Sequence, residues 1–112
     1  KLDEDPINHA EILAIRKASK FLGTRHLRGY ILYTTHEPCT MCASASVWAM
    51  LDGVVSGATI QDMAAYRNKY GNGKWLWRTI DIPASEIFQK GTPSPFHVGE
   101  FMREECRKLF HS

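Results

Sequence analysis

Apolar and polar positions recur along this chain in two periods, and the switches between them mark out its elements. From Asn8, a residue suited to capping a helix, Ala10, Leu13, Ala14, Ala18, Phe21 and Leu22 fall at helical spacing until Gly23 supplies a stop. This predicts a first helix running to about Leu22. After a polar joint with Arg25, His26 and Arg28, the run Tyr30-Ile31-Leu32-Tyr33-Thr34-Thr35 is short, aromatic and β-branched, with apolar residues side by side. It reads as a buried strand. Pro38 suits the first turn of a second helix, where its missing N–H costs nothing, and Met41, Ala45, Trp48, Ala49 and Leu51 give a stripe ending before Gly53.

Val54 to Ala58 predicts a second strand, and Ile60 to Tyr70 a third helix with Ile60, Met63, Ala64 and Arg67 on one side. Gly71-Asn72-Gly73 breaks it, and a less regular stretch with Trp75, Trp77, Ile80 and Ile82 follows. The pattern then predicts a short helix at Pro83 to Gln89, a turn-rich connector at Gly91 to Pro95, and a strand at Phe96 to Val98. A closing helix from Glu100 to Phe110 is expected to turn Phe101, Cys106, Leu109 and Phe110 inward. Strands alternating with helices imply an α/β sandwich with parallel neighbours.

Composition adds that this is one domain over residues 1–112: at 44% hydrophobic and 23% charged the chain has enough apolar material for a core, which excludes a disordered tail. Fourteen basic against twelve acidic side chains leave a net charge of +2, short of the basic face that holds nucleic acid through its phosphates. No apolar run approaches the roughly 20 residues that span a bilayer, and the N-terminus lacks a secretory pattern, so no membrane partner and a cytoplasmic location are expected. The opening with Lys1 rather than Met is what a piece of a longer chain would show.

Three cysteines are an odd number, and Cys39 and Cys42 form a tight pair in a chain with five histidines, which favours a metal site over a disulfide framework. His9-Ala10-Glu11 opens the first helix and Pro38-Cys39-Thr40-Met41-Cys42 the second. Sulfurs three residues apart on a helix face the same way and take two corners of a tetrahedron, with thiolates favoured by the positive helix end. His9 supplies a third corner, and no fourth protein ligand is as well placed, so water takes the open position expected of a catalytic zinc. Glu11, two residues on, reaches that water as a proton shuttle without ligating the metal.

A His-x-Glu with a downstream Pro-Cys-x-x-Cys matches the signature of the zinc-dependent nucleobase deaminases. The chain resembles the cytidine and deoxycytidylate deaminase superfamily, in the branch of guanine deaminase, cytosine deaminase and tRNA adenosine deaminase. His9-Ala10-Glu11-Ile12, Tyr30 to Thr35, Glu37-Pro38-Cys39 with Met41-Cys42, and Val54-Val55-Ser56-Gly57-Ala58 carry the resemblance in order, from about Asp5 to Ala58. It implies a three-layer α/β/α sandwich around a mixed sheet and hydrolytic loss of an exocyclic amine from a nucleobase or nucleoside, of guanine or cytosine type. It also implies a homodimer, with Zn2+ on His9, Cys39 and Cys42, Glu11 as proton shuttle, and a base met by the backbone of Ala10 and of Glu37, Pro38 and Cys39. His36 stands where many relatives carry an apolar or small residue, and is a candidate substrate contact.

Relatives begin with a helix and a β-hairpin that the eight residues before His9 do not hold, which would leave the strand at Tyr30 to Thr35 an exposed edge, so the expectation is a fragment, an N-terminus absent from the structure, or an edge covered by a partner chain. Wobble adenosine deamination in tRNA is the rival within the same chemistry, weakened by Thr59 to Tyr66 where tRNA enzymes carry a small-residue loop. A rival of another class is a non-catalytic, zinc-stabilised binding or assembly module. Cys106 reads as a buried structural thiol, and Lys74-Trp75-Leu76-Trp77-Arg78 as core or subunit interface more than as a base-stacking surface.

Overall fold

The computed structural model describes residues 5–70, 80 and 82–108. Helix α1 (Ala10–Leu22) is followed by β1 (Ile31–His36), α2 (Thr40–Trp48), β2 (Gly53–Ala58), α3 (Ile60–Tyr70), α4 (Ala84–Lys90), β3 (Phe96–Val98) and α5 (Arg103–Arg107). The α/β alternation and α3 and β3 at their expected limits are as the sequence predicts. The strand order is β1-β2-β3, with both pairings parallel. Ile31 pairs with Gly53 and His36 with Ala58, so the ends of β1 and β2 that carry the site are level. Among the described residues the sheet is therefore wholly parallel, without the antiparallel member of a mixed sheet.

Leu32 of β1 and Val54 of β2 share a face covered by α1, α2 and α4, where Ala43, Val47, Ala84 and Phe88 pack on one side and Leu27, Ala49 and Leu51 on the other. Short α5 lies on the opposite face, against β2. Its approach requires Gly57: a Cβ there would run into the Cys106 side chain and lie 2.7 Å from the Thr35 carbonyl oxygen. Central β2 is accordingly buried along its whole length, whereas β1 alternates, with Leu32, Thr34 and His36 inward and Ile31, Tyr33 and Thr35 exposed. Among the described residues β1 is thus an edge strand, as the short segment before His9 leads one to expect and unlike the buried strand its apolar run predicts, with Tyr33 67% exposed.

Several predicted positions shift. α1 is capped by His9 rather than Asn8, and its inward residues are Ile12, Ile15 and Ala18, with Phe21 90% exposed. The helix carries apolar residues on two faces, and packing against α2 selects one. α2 begins after Pro38, with Cys39 as N-cap, and turns Trp48 out to solvent while Cys42, Ala43 and Ser46 are buried. Phe101 is exposed and precedes the shorter α5. Trp75, Trp77, Leu109 and Phe110 lie outside the described residues. Among those described, no helix is long and apolar enough to cross a membrane.

Candidate functional site

Two helix N-termini meet at the site. His9 is the N-cap of α1, in extended conformation, and its carbonyl accepts the first helical bond from the Leu13 N–H at 2.9 Å. Cys39 holds the same place in α2, its carbonyl accepting from Ala43 at 2.8 Å, and Cys42 follows at the third helical position. The capping geometry brings His9 Nδ1 to 3.7 Å from Cys39 Sγ and 3.6 Å from Cys42 Sγ. Zinc with its usual bond lengths and tetrahedral angle needs a nitrogen-to-sulfur spacing of about 3.6 Å. All three donor atoms lie within 4.8 Å of one another, so the residues fit this metal.

Burial grades across the group, from Cys42 at the bottom through half-buried Cys39 to exposed His9, so the site opens toward His9. The two thiols are linked: a hydrogen bond from Cys42 pulls Cys39 down to about 5, and the same bond, with burial, pushes Cys42 up. One thiolate is therefore favoured without a cation, and a second needs one. Among the described residues no further His, Cys, Asp or Glu joins the group, and Cys106 lies against Gly57 on the far face of the sheet. This is a three-ligand set with a fourth position for a non-protein ligand.

Glu11 sits on the first turn of α1, two residues from His9, and the Thr34 hydroxyl donates to its Oε2 at 3.2 Å. The same hydroxyl lies 3.1 Å from the His36 carbonyl oxygen. Glu11, His9 and Cys39 face a cavity of about 600 Å³. Its apolar wall is Pro6, Met41, Ile60, Met63 and Ile80, and its polar wall adds His36, Glu37 and Thr40 to His9, Glu11 and Cys39.

Glu37 is buried, and its side chain is committed. Oε1 accepts the N–H of Ile60 at 3.0 Å and Oε2 that of Ala84 at 2.7 Å, while the Glu37 N–H donates to the Ala58 carbonyl at 2.7 Å. One carboxylate thus joins the end of β1 to the starts of α3 and α4, and fixes the segment that leads into Cys39. His36 is half-buried on the pocket wall, and burial lowers its pKa against the opposing pull of Glu11. Pro38 is fully buried behind the wall and Ala10 opens α1 beside His9. Of the sequence-derived residues, His9, Glu11, His36, Glu37 and Cys39 line one cavity, and Cys42 closes the metal group from beneath it.

Sequence reasoning missed Thr34, whose signal was its place two residues after core-facing Leu32 on one strand face. It also missed Ile60 and Met63 as pocket residues, since their stripe reads equally as core.

Residues 2–58 match the family model described as the cytidine and deoxycytidylate deaminase zinc-binding region. The chain is 43% identical to guanine deaminase of Bacillus subtilis over 82 residues, 73% of this chain and 51% of that protein. It is 46% identical to tRNA-specific adenosine deaminase of Aquifex aeolicus over 107 residues, 95% of this chain and 66% of that protein. The chain thus spans about half to two thirds of the length of these relatives. A guanine deaminase structure from Nitrosomonas europaea superposes with a TM-score of 0.69 at 23% identity, over 95% of this chain and 56% of that one, and bears out the fold. A structure from work on A-to-I editing by tRNA deaminases at the wobble position gives 0.63 at 26% identity, over 94% and 67%.

Proposed function

Because this chain belongs to the cytidine and deoxycytidylate deaminase family, we propose that it is a zinc-dependent hydrolytic deaminase of a nucleobase or nucleoside, of guanine or cytosine type. The observation that carries this reading is Glu11: a carboxylate outside the His/Cys/Cys group that faces the same cavity as His9 and Cys39. His9, Cys39 and Cys42 would hold a zinc ion, whose Lewis acidity would make water nucleophilic near neutral pH.

Glu11 takes one proton from the attacking water and delivers it to the ring nitrogen, then takes the remaining proton of the newly added hydroxyl and delivers it to the departing amine. A C–O bond forms, the exocyclic C–N bond breaks, and ammonia leaves with the carboxylate returned to its starting state. The Thr34 hydroxyl holds Oε2 of Glu11 at 3.2 Å, restricting the carboxylate to the cavity side. Met41, Ile60 and Met63 give the ring an apolar wall that keeps bulk water from it. Support for a small substrate comes from the net charge of only +2.

A second reading, wobble adenosine deamination in tRNA, is favoured by one observation: the Aquifex aeolicus relative matches 95% of this chain against 73% for the Bacillus subtilis guanine deaminase. A homodimer and a cytoplasmic location go with either reading. Exposed Tyr33 and Trp48 are apolar surface for a second copy, and the thiol ligands need a reducing compartment.

Ammonia release by zinc-loaded protein from guanine, cytosine, adenine, their nucleosides and tRNA tests the proposal. Turnover of a guanine or cytosine compound is expected. Turnover of tRNA alone, with salt-sensitive affinity, selects the second reading. Zinc bound one per chain with no ammonia from any of them overturns both and leaves a zinc-stabilised assembly module.

A further inference from the structure

The first turn of α3 carries part of the cavity wall, since Ile60 and Met63 both line it. That turn is closed by its own residues. Thr59 Oγ1 accepts the Asp62 N–H at 3.0 Å and Asp62 Oδ2 accepts the Thr59 N–H at 3.0 Å, a reciprocal cap with Asp in place of the usual Glu or Gln. The helix start therefore has its cap without help from another element.

Asp62 makes a second set of bonds that the cap does not require. Arg103 of α5, 41 residues further on, donates from Nε to Oδ2 at 2.8 Å and from Nη2 to Oδ1 at 2.6 Å, a two-point fork onto a buried carboxylate. Arg107 stands further off, 3.7 Å from Oδ1, and Glu100 lies 3.6 Å from Nη1 of Arg103. The guanidinium holds the Asp62 carboxyl well below the usual carboxylate range, so the fork keeps both its charges near neutral pH.

The other end of this tie is fixed to the central strand. The Phe101 N–H donates to the Ser56 carbonyl of β2 at 2.9 Å, and Cys106 packs against Gly57. The turn that delivers Arg103 puts Glu100 and Met102 at positive φ, 60° and 50°, a conformation that residues other than glycine adopt at a cost. A continuous path thus runs from β2 through α5 and the fork to Asp62, the neighbour of Met63.

We propose that Arg103 is a positioning residue which, through Asp62, sets where Ile60 and Met63 stand in the wall that meets the substrate ring. This rests on the deaminase reading above but not on which base is deaminated. Arg103 stands outside the residues that line the cavity, so its loss changes the fit of the ring and removes no group from metal holding or proton transfer.

The test measures steady-state ammonia release by zinc-loaded wild type, R103M, D62N, M63A and the R103M/M63A double variant on the substrate that wild type turns over. Zinc content and melting temperature are determined on the same samples. R103M is expected to raise KM about fivefold with kcat within about threefold and zinc unchanged. D62N keeps an acceptor for the Thr59 N–H but loses the charged fork, and is expected to match R103M. Because Arg103 acts through the wall, its substitution in the M63A background is expected to raise KM less than in wild type. An unchanged KM in either folded variant, R103M or D62N, overturns the positioning role while the deaminase reading stands. Full additivity of R103M and M63A also overturns it, as does a fall in kcat with loss of zinc in both R103M and D62N, the mark of a general structural effect. No turnover by wild type of any of the bases, nucleosides or tRNA overturns the deaminase reading, and this inference with it.

Discussion

The carboxylate of Glu37 accepts a 2.7 Å hydrogen bond from the backbone N–H of Ala84, 47 residues further along the chain. With Ile60 on its other oxygen, this buried side chain satisfies the first N–H of two helices at once and sets the path into Pro38 and Cys39.

Glu37→Ala would leave two buried N–H groups without their acceptor, at about 1–3 kcal/mol each. The expected loss is about 3 kcal/mol or more in a urea titration, with weaker zinc retention because the segment before Cys39 loses its anchor. Glu37→Gln, which keeps one acceptor oxygen, should lose less. A Glu37→Ala midpoint equal to wild type would contradict the assignment.

Thr34 is expected to act through Glu11. Thr34→Val removes the hydroxyl that lies 3.2 Å from Oε2 and keeps the shape, so kcat should fall about tenfold with KM little changed. Thr34→Ser should restore most of it. An unaltered kcat in the valine variant would show that Glu11 needs no such restraint.

His97 gives the fold a pH dependence. Its Nε2 shares a 2.9 Å hydrogen bond with Ser56 Oγ, its ring meets Phe88 edge-on at 5.3 Å, and burial lowers its pKa below 6.5 against the pull of Glu37. A histidine whose folded pKa lies below its unfolded value contributes stability that is complete above pH 6.5 and lost as pH falls through the folded value. Unfolding free energy should therefore decline below about pH 6.5. His97→Gln should lower stability at pH 7.5 by about 1 kcal/mol and flatten that decline. His36 shifts in the same direction, so some slope should remain. An identical slope in His97→Gln would remove this account.

What was readable in advance divides by range. His9, Glu11, Cys39 and Cys42 stand within two short motifs at helix starts, so helical geometry alone orients them. β3 and α3 were equally plain from turn residues and apolar runs. Glu37 and Ala84 meet only through the fold, and no local pattern announces a carboxylate that caps a helix 47 residues away. The exposure of Phe21 and Trp48 was hidden for another reason: α1 and α2 carry more apolar residues than one face holds, and which face is buried depends on the partner helix. Thr34 reads as an ordinary strand residue until Glu11 is placed beside it.

The central claim is that Glu11 moves protons at a site whose metal is held by His9, Cys39 and Cys42. Ammonia release by zinc-loaded wild type and Glu11→Gln, with zinc content determined on the same samples, tests it most directly. The account predicts steady turnover of a guanine or cytosine compound by wild type and a loss of about a hundredfold or more in Glu11→Gln, with one zinc per chain in both. Full activity in Glu11→Gln, or zinc lost with its amide, would contradict the separation of metal holding from proton transfer.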